Sequence, residues 1–99
     1  MNKRSISIIV PVYNSQQTLV ALHKRLNSVL TKLAGEFEII FVNDGSVDNS
    51  WEEIKILEEK NPSVIGVNLM KNFGQHNALL CGIRKAKYEL IATLDDDLQ

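Results

Sequence analysis

Cysteine is nearly absent from this chain. Cys81 is the only one in 99 residues, so no intrachain disulfide can form, and its setting among Leu79, Leu80 and Ile83 reads as a buried thiol in a reducing, cytoplasmic compartment. An excess of one charge is also missing: 11 Lys and Arg stand against 12 Asp and Glu, a formal net charge of -1. That balance excludes the broad basic field that draws in nucleic acid or anionic lipid, so any anion must be bound locally. No apolar stretch approaches the ~18 residues needed to span a bilayer. In "MNKRSISIIVPVYN" two cations precede a short apolar run that contains Pro11 and has no small-residue cleavage site, so the segment reads as a strand and not as a signal peptide. Proline is scarce, with two, and the hydrophobic share is 44%; together these argue for one packed domain over 1–99 rather than a disordered chain.

What is present is a regular alternation. Ser5 to Val12 is a nearly continuous apolar, β-branched run, the pattern of a strand buried on both faces. Ser15 is placed to cap a helix whose stripe runs through Leu19, Leu22, Leu26, Val29, Leu30 and Leu33 and ends at Ala34-Gly35; His23 falls on its polar side. Phe37 to Val42 reads as a second strand, and "NDGS" (43 to 46) as a turn. A second helix starts at Ser46 or Asp48, with Trp51, Ile54 and Leu57 on one face, and stops at Asn61-Pro62. Val64 to Leu69 is a third strand, Gln75 to Ala86 a third helix, and Tyr88 to Leu94 a fourth strand. The order βαβαβαβ predicts an α/β fold with three layers (αβα) around a mostly parallel, Rossmann-like sheet. Ligands bind such sheets beyond the carboxyl ends of the strands, which selects the loops 13 to 16, 43 to 48, 71 to 75 and 95 to 99.

Glycine is missing where two common α/β functions need it. The turn after the first strand, "PVYNSQQ", has none, which excludes a dinucleotide-binding turn and a P-loop. A phospho-receiver domain needs acidic residues after strand 1 and an Asp after strand 3, where this chain has Tyr13-Asn14 and Lys71-Asn72. The carboxylates follow strands 2 and 4 instead. Asp44 reads either as turn chemistry or as a carboxylate that accepts hydrogen bonds from a nucleotide base, with Gly45 leaving room. In "LIATLDDDLQ" three adjacent like charges at the end of a buried strand repel one another, and a hard divalent cation is the usual remedy. Alternation sends Asp95, Asp97 and Gln99 to similar sides, three oxygen donors suited to Mg2+ or Mn2+; the competing reading is an exposed acidic loop. Lys71 is a candidate phosphate partner, and Gly74 precedes a helix N-terminus that favours an anion. His76 reads as a ligand or catalytic group, or as a solvent-facing or capping side chain.

Four segments taken in order, "ISIIVPVYN", "EIIFVNDGSVDNS", "MKNFGQHNALLCGIRKA" and "LIATLDDDLQ", resemble the N-terminal half of a family 2 glycosyltransferase with the GT-A fold. "FGQHNA" and "DDDLQ" look most like the undecaprenyl- and dolichyl-phosphate sugar transferases. The resemblance implies that Pro11, Val12, Tyr13 and Val42 form a nucleoside pocket and that Asp44 bonds the base. It implies further that Lys71, Gly74 and Asp96 complete the nucleotide set, while Asp95, Asp97 and Gln99 hold Mg2+ or Mn2+ against the diphosphate of a UDP- or GDP-linked sugar. Such transferases usually carry Glu where this chain has Ser15, a departure that bears on nucleotide identity. The acceptor half, with the base that deprotonates the acceptor, follows the Asp-x-Asp motif in that family. The chain is therefore expected to be a truncated donor half that binds sugar nucleotide weakly and does not turn over alone. The full-length protein would use a polyprenyl-phosphate acceptor at the cytoplasmic face of a membrane, in cell-envelope polysaccharide synthesis. The alternative is a non-catalytic βα module whose acidic tip binds a cation or a basic partner. Self-association through an open sheet edge is expected in either case.

Overall fold

The computed structural model describes residues 4–95. Its elements run β1 (Ile6–Val12), α1 (Leu19–Leu33), β2 (Phe37–Asp44), α2 (Ser50–Lys60), β3 (Val64–Leu69), α3 (Gln75–Lys85) and β4 (Leu90–Thr93). All pairings are parallel and the strand order is β3-β2-β1-β4. This is the three-layer α/β sheet that the alternation predicts, because each crossover carries a helix to one face or the other.

Two apolar layers hold it together. Ile8, Val10, Val12, Ile39 and Phe41 point to the side covered by α1 and α2, where Leu19, Leu22, Leu30, Ile54 and Leu57 meet them. Ile9, Ile40 and Val42 point the other way, toward Ala78 of α3. Gly82 lets α3 come close: a Cβ there would lie 2.3 Å from Ile9 Cγ2.

The structure corrects several details. The buried positions of α1 are Leu19, Leu22, His23 and Leu30, so the apolar stripe is turned from the expected one. Val29 and Leu33 face solvent at 51% and 71% exposure, while His23, expected on the polar side, is buried at 7%. Ser15 does not cap α1, whose N-cap is Thr18; its N–H donates to Ser50 Oγ at 2.8 Å instead. β2 continues through Asn43 and Asp44, because both pair with β3, so the turn begins two residues later than "NDGS" suggests. β4 is shorter than expected at both ends.

Order and ladder together open the sheet at one place. β1 is the strand from which the chain proceeds to β2 and β3 on one side and finally to β4 on the other, which is the topological switch point where such folds bind ligands. The β1–β4 register ends at Ile9↔Thr93, and Ile9 O accepts the Leu94 N–H at 3.0 Å. Pro11 lies two residues on, so it faces the same side just past the last rung. Its missing N–H costs no ladder bond there, and the two strands can diverge.

Candidate active site

A crevice of about 410 Å3 occupies that divergence. Pro11, Val12 and Tyr13 from the end of β1 and Asp44 from the end of β2 line it, together with Asn72, Gly74 and Gln75 before and at the start of α3 and Asp95 after β4. Four loops remote in sequence therefore meet at one place, and each is fixed by identifiable bonds.

The first two loops are stitched together. Asn14 N–H donates to Ser46 Oγ at 2.9 Å, and Val47 N–H returns a bond to Asn14 Oδ1 at 2.8 Å. Asn14 has φ 51, a left-handed conformation that Asn tolerates. Asp48 Oδ1 accepts both the Ser50 N–H at 2.9 Å and its hydroxyl at 2.6 Å, while Oδ2 accepts the Gln16 N–H at 3.2 Å. Burial works to raise the Asp48 pKa, but the bonds from the Ser50 hydroxyl and from backbone N–H groups outweigh it and hold the carboxyl below the ordinary carboxylate range.

Asp44 joins the second loop to the third. The residue is 4% exposed; its Oδ1 accepts the Phe73 N–H at 2.7 Å and Oδ2 the Gly74 N–H at 3.0 Å. Two donors leave lone pairs on both oxygens for a further partner in the crevice. Gly45 makes the approach possible: at φ 69, a Cβ would lie 2.3 Å from Asn72 N and 2.4 Å from the Lys71 carbonyl carbon. Asn43, next to Asp44, points to the opposite side of the sheet and donates to Asn68 Oδ1 at 2.8 Å. The fourth loop is reached by Gln75, whose Nε2 donates to Asp95 Oδ1 at 2.8 Å.

Of the residues singled out by sequence, Pro11, Val12, Tyr13, Asp44, Gly74 and Asp95 come together around the crevice. Val42 is fully buried under α3 and does not line it. Lys71 lies outside it too, with its ammonium 5.3 Å from the centre of the Phe73 ring. His76 is exposed on the first turn of α3 and is absent from the lining. Asp96, Asp97 and Gln99 lie outside the described residues. Gln75 and Asn72 lie in the 71–75 loop that the sequence selects but were not singled out there; the signal for Gln75 was its place directly after Gly74 at the helix start.

Asp95 tests the fit of a divalent cation. It is an exposed carboxylate at the crevice wall, a hard oxygen donor of the kind Mg2+ and Mn2+ prefer, and it accepts a bond from a neutral carboxamide. Among the described residues no group of three or more His, Cys, Asp and Glu side chains gathers.

Residues 7–99 match the family described as Glycosyl transferase family 2. The chain belongs to that family. It is 41% identical over 97 residues to an undecaprenyl-phosphate 4-deoxy-4-formamido-L-arabinose transferase of Serratia proteamaculans, covering 97% of this chain and 30% of that one. The protein of the same description in Pseudomonas fluorescens is 41% identical over 95 residues, covering 95% and 28%. The chain thus spans under a third of the length of these curated relatives. Among solved structures, Staphylococcus aureus TarS 1-349 in complex with UDP-GlcNAc superposes with a TM-score of 0.77 at 27% identity, over 94% of this chain and 26% of that one. A mannosyltransferase of Pyrobaculum calidifontis in complex with GDP-Man and Mn2+ gives 0.77 at 23% identity, over 98% and 28%. The fold is that of the GT-A glycosyltransferases. No helix among the described residues is long and apolar enough to cross a membrane.

Proposed function

We propose that residues 1–99 form the nucleotide-sugar-binding half of a glycosyltransferase that moves a sugar from a UDP- or GDP-linked donor to a polyprenyl phosphate. The observation that carries this reading is one crevice at the switch point of a family 2 sheet, with the Asp44 carboxylate on one wall and Asp95 on another. The relatives' descriptions, which name undecaprenyl phosphate, support the acceptor class.

In this reading the nucleoside lies along Pro11, Val12 and Tyr13, and Asp44 accepts N–H donors of the base with the lone pairs left over from Phe73 and Gly74. Asp44 is nearly dry, so each such bond counts for more than it would in water. Asp95, with Asp97 and Gln99, would hold Mg2+ or Mn2+ at the diphosphate. When bound, the cation supplies Lewis-acid stabilisation of the charge that grows on the departing diphosphate. Gly74 and the N-terminus of α3 offer backbone N–H groups to the same charge. The full-length protein would work at the cytoplasmic face of a membrane, where a polyprenyl phosphate presents its head group. Pairing of two copies along the outer edge of β4 belongs to the same proposal.

The test is a titration of the full-length protein and its Asp97→Asn variant with UDP and GDP, with and without Mn2+. Wild type is expected to bind one nucleotide more tightly with Mn2+, and Asp97→Asn to lose that gain by ~10-fold or more. Metal-independent binding of equal strength in both proteins overturns the metal role.

A further inference from the structure

We propose that Gln75 is a positioning residue for Asp95, setting the orientation in which this carboxylate meets a cation. The inference rests on the donor-site reading above and adds a residue to it.

Asp95 needs such a partner because the sheet has released it. The Leu94 N–H reaches Ile9 O, and β4 itself ends at Thr93. Beyond that bond the Asp95 side chain is exposed, and its Oδ1 accepts from Gln75 Nε2 at 2.8 Å. Gln75, by contrast, is well anchored. It is the first residue of α3; the turn before it is held by Asp44 through Phe73 N and Gly74 N, and Gly74 O accepts the Ala78 N–H at 3.0 Å. A carboxamide carried on an anchored stretch of backbone therefore meets the Asp95 carboxylate, and the bond between them favours one rotamer of Asp95.

The chemistry of the donor fits the task. A carboxamide N–H occupies one lone pair of Oδ1 and leaves Oδ2 for a cation. It is neutral, so Asp95 keeps the full charge that a divalent ion requires, whereas a Lys or Arg in its place would compete with the ion. Groups that hydrogen-bond a metal-binding carboxylate from behind fix its direction in this way. Gln75 and Asp95 also form the shared wall between the crevice and a smaller neighbouring cavity of about 320 Å3, so the pair stands where the two spaces meet. One bonded path, Asp44 to the 73–74 turn to Gln75 to Asp95, then links the base end of the crevice to the diphosphate end.

The experiment compares wild type, Gln75→Met, Gln75→Ala and Asp95→Asn in the full-length protein. Mn2+ affinity is measured by electron paramagnetic resonance in the presence of UDP, alongside UDP binding without metal and thermal unfolding. Met keeps the length without a donor, and Ala has the highest intrinsic helix propensity. Both Gln75 variants are expected to weaken Mn2+ about 10-fold. Metal-free UDP affinity should be unchanged and the unfolding midpoint should stay within about 2 °C. Loss of Mn2+ in Asp95→Asn with wild-type affinity in both Gln75 variants overturns the inference and leaves the donor-site reading standing. Wild-type Mn2+ affinity in Asp95→Asn overturns both.

Discussion

Gly45 shows how a single position decides whether the candidate site exists. The sequence "NDGS" marks a turn, but its composition cannot tell that the glycine backbone touches Asn72 and Lys71, two residues that follow another strand. Alanine at this place meets two penalties together: a left-handed φ of 69 and a backbone collision at 2.3 Å. Gly45→Ala is expected to destabilise by about 2–4 kcal/mol in urea denaturation and to release the 71–74 turn, with nucleotide binding falling more than stability explains. Asp44 makes the complementary point. Its type and its place after a buried strand suggested a carboxylate facing a ligand, yet both its oxygens already hold Phe73 and Gly74 in the structure. Turn geometry and ligand binding were alternatives in the sequence; in the folded chain one carboxylate can serve both.

Elements were legible where one face was uniformly apolar and misread where packing chose among several apolar residues. α2 kept its expected face, with Ile54 and Leu57 buried and Trp51 half-buried against them. α1 offered seven large apolar residues, more than one stripe requires, and the sheet took the set that includes His23 and leaves Val20, Val29 and Leu33 exposed. The least visible device lies in β2. Glu38, at 2% exposure, sits within an apolar run; its Oε2 accepts the Ser7 hydroxyl at 2.6 Å and the Lys87 N–H at 2.8 Å, and Ser7 Oγ accepts the Tyr88 N–H at 3.3 Å. These bonds tie the turn between α3 and β4 to the centre of the sheet. They thereby fix where β4 begins and where Asp95 emerges. Glu38→Ala strands a buried hydroxyl and a backbone N–H. It is expected to cost about 3 kcal/mol and to speed amide exchange over Leu90–Thr93 before the rest of the sheet.

At the scale of the molecule, stability should depend on pH through His23. Burial pushes its imidazole below the usual value near 6.5, and Nε2 has no hydrogen-bond partner among the described residues. The unfolded chain then binds the proton more readily than the folded one. The His23 contribution is fully present above about pH 6.5 and is lost as pH falls toward the depressed folded value. Unfolding midpoints measured from pH 8 to pH 5 should fall in wild type. They should fall less steeply in His23→Leu, which loses no bond from Nε2. The sheet edges differ as well. The Gly66 N–H of β3 is capped by Glu58 Oε2 at 3.1 Å, which blunts one edge, whereas Leu90 at the start of β4 and Leu94 just after it are 43% and 40% exposed.

The sequence by itself determined the alternation of strands and helices, the parallel sheet and the strand ends at which to look. Periodicity, crossover length and turn chemistry act over a few residues and can be read locally. Only the tertiary structure decided that β1 lies between β2 and β4, that Pro11 stands just past the final rung, and that Asp44, Gly74, Gln75 and Asp95 share one crevice. Those relations join residues up to 84 positions apart, as at Ile9 and Thr93. They arise from which faces bury together and which backbone groups find partners, and a one-dimensional pattern does not encode such choices separately.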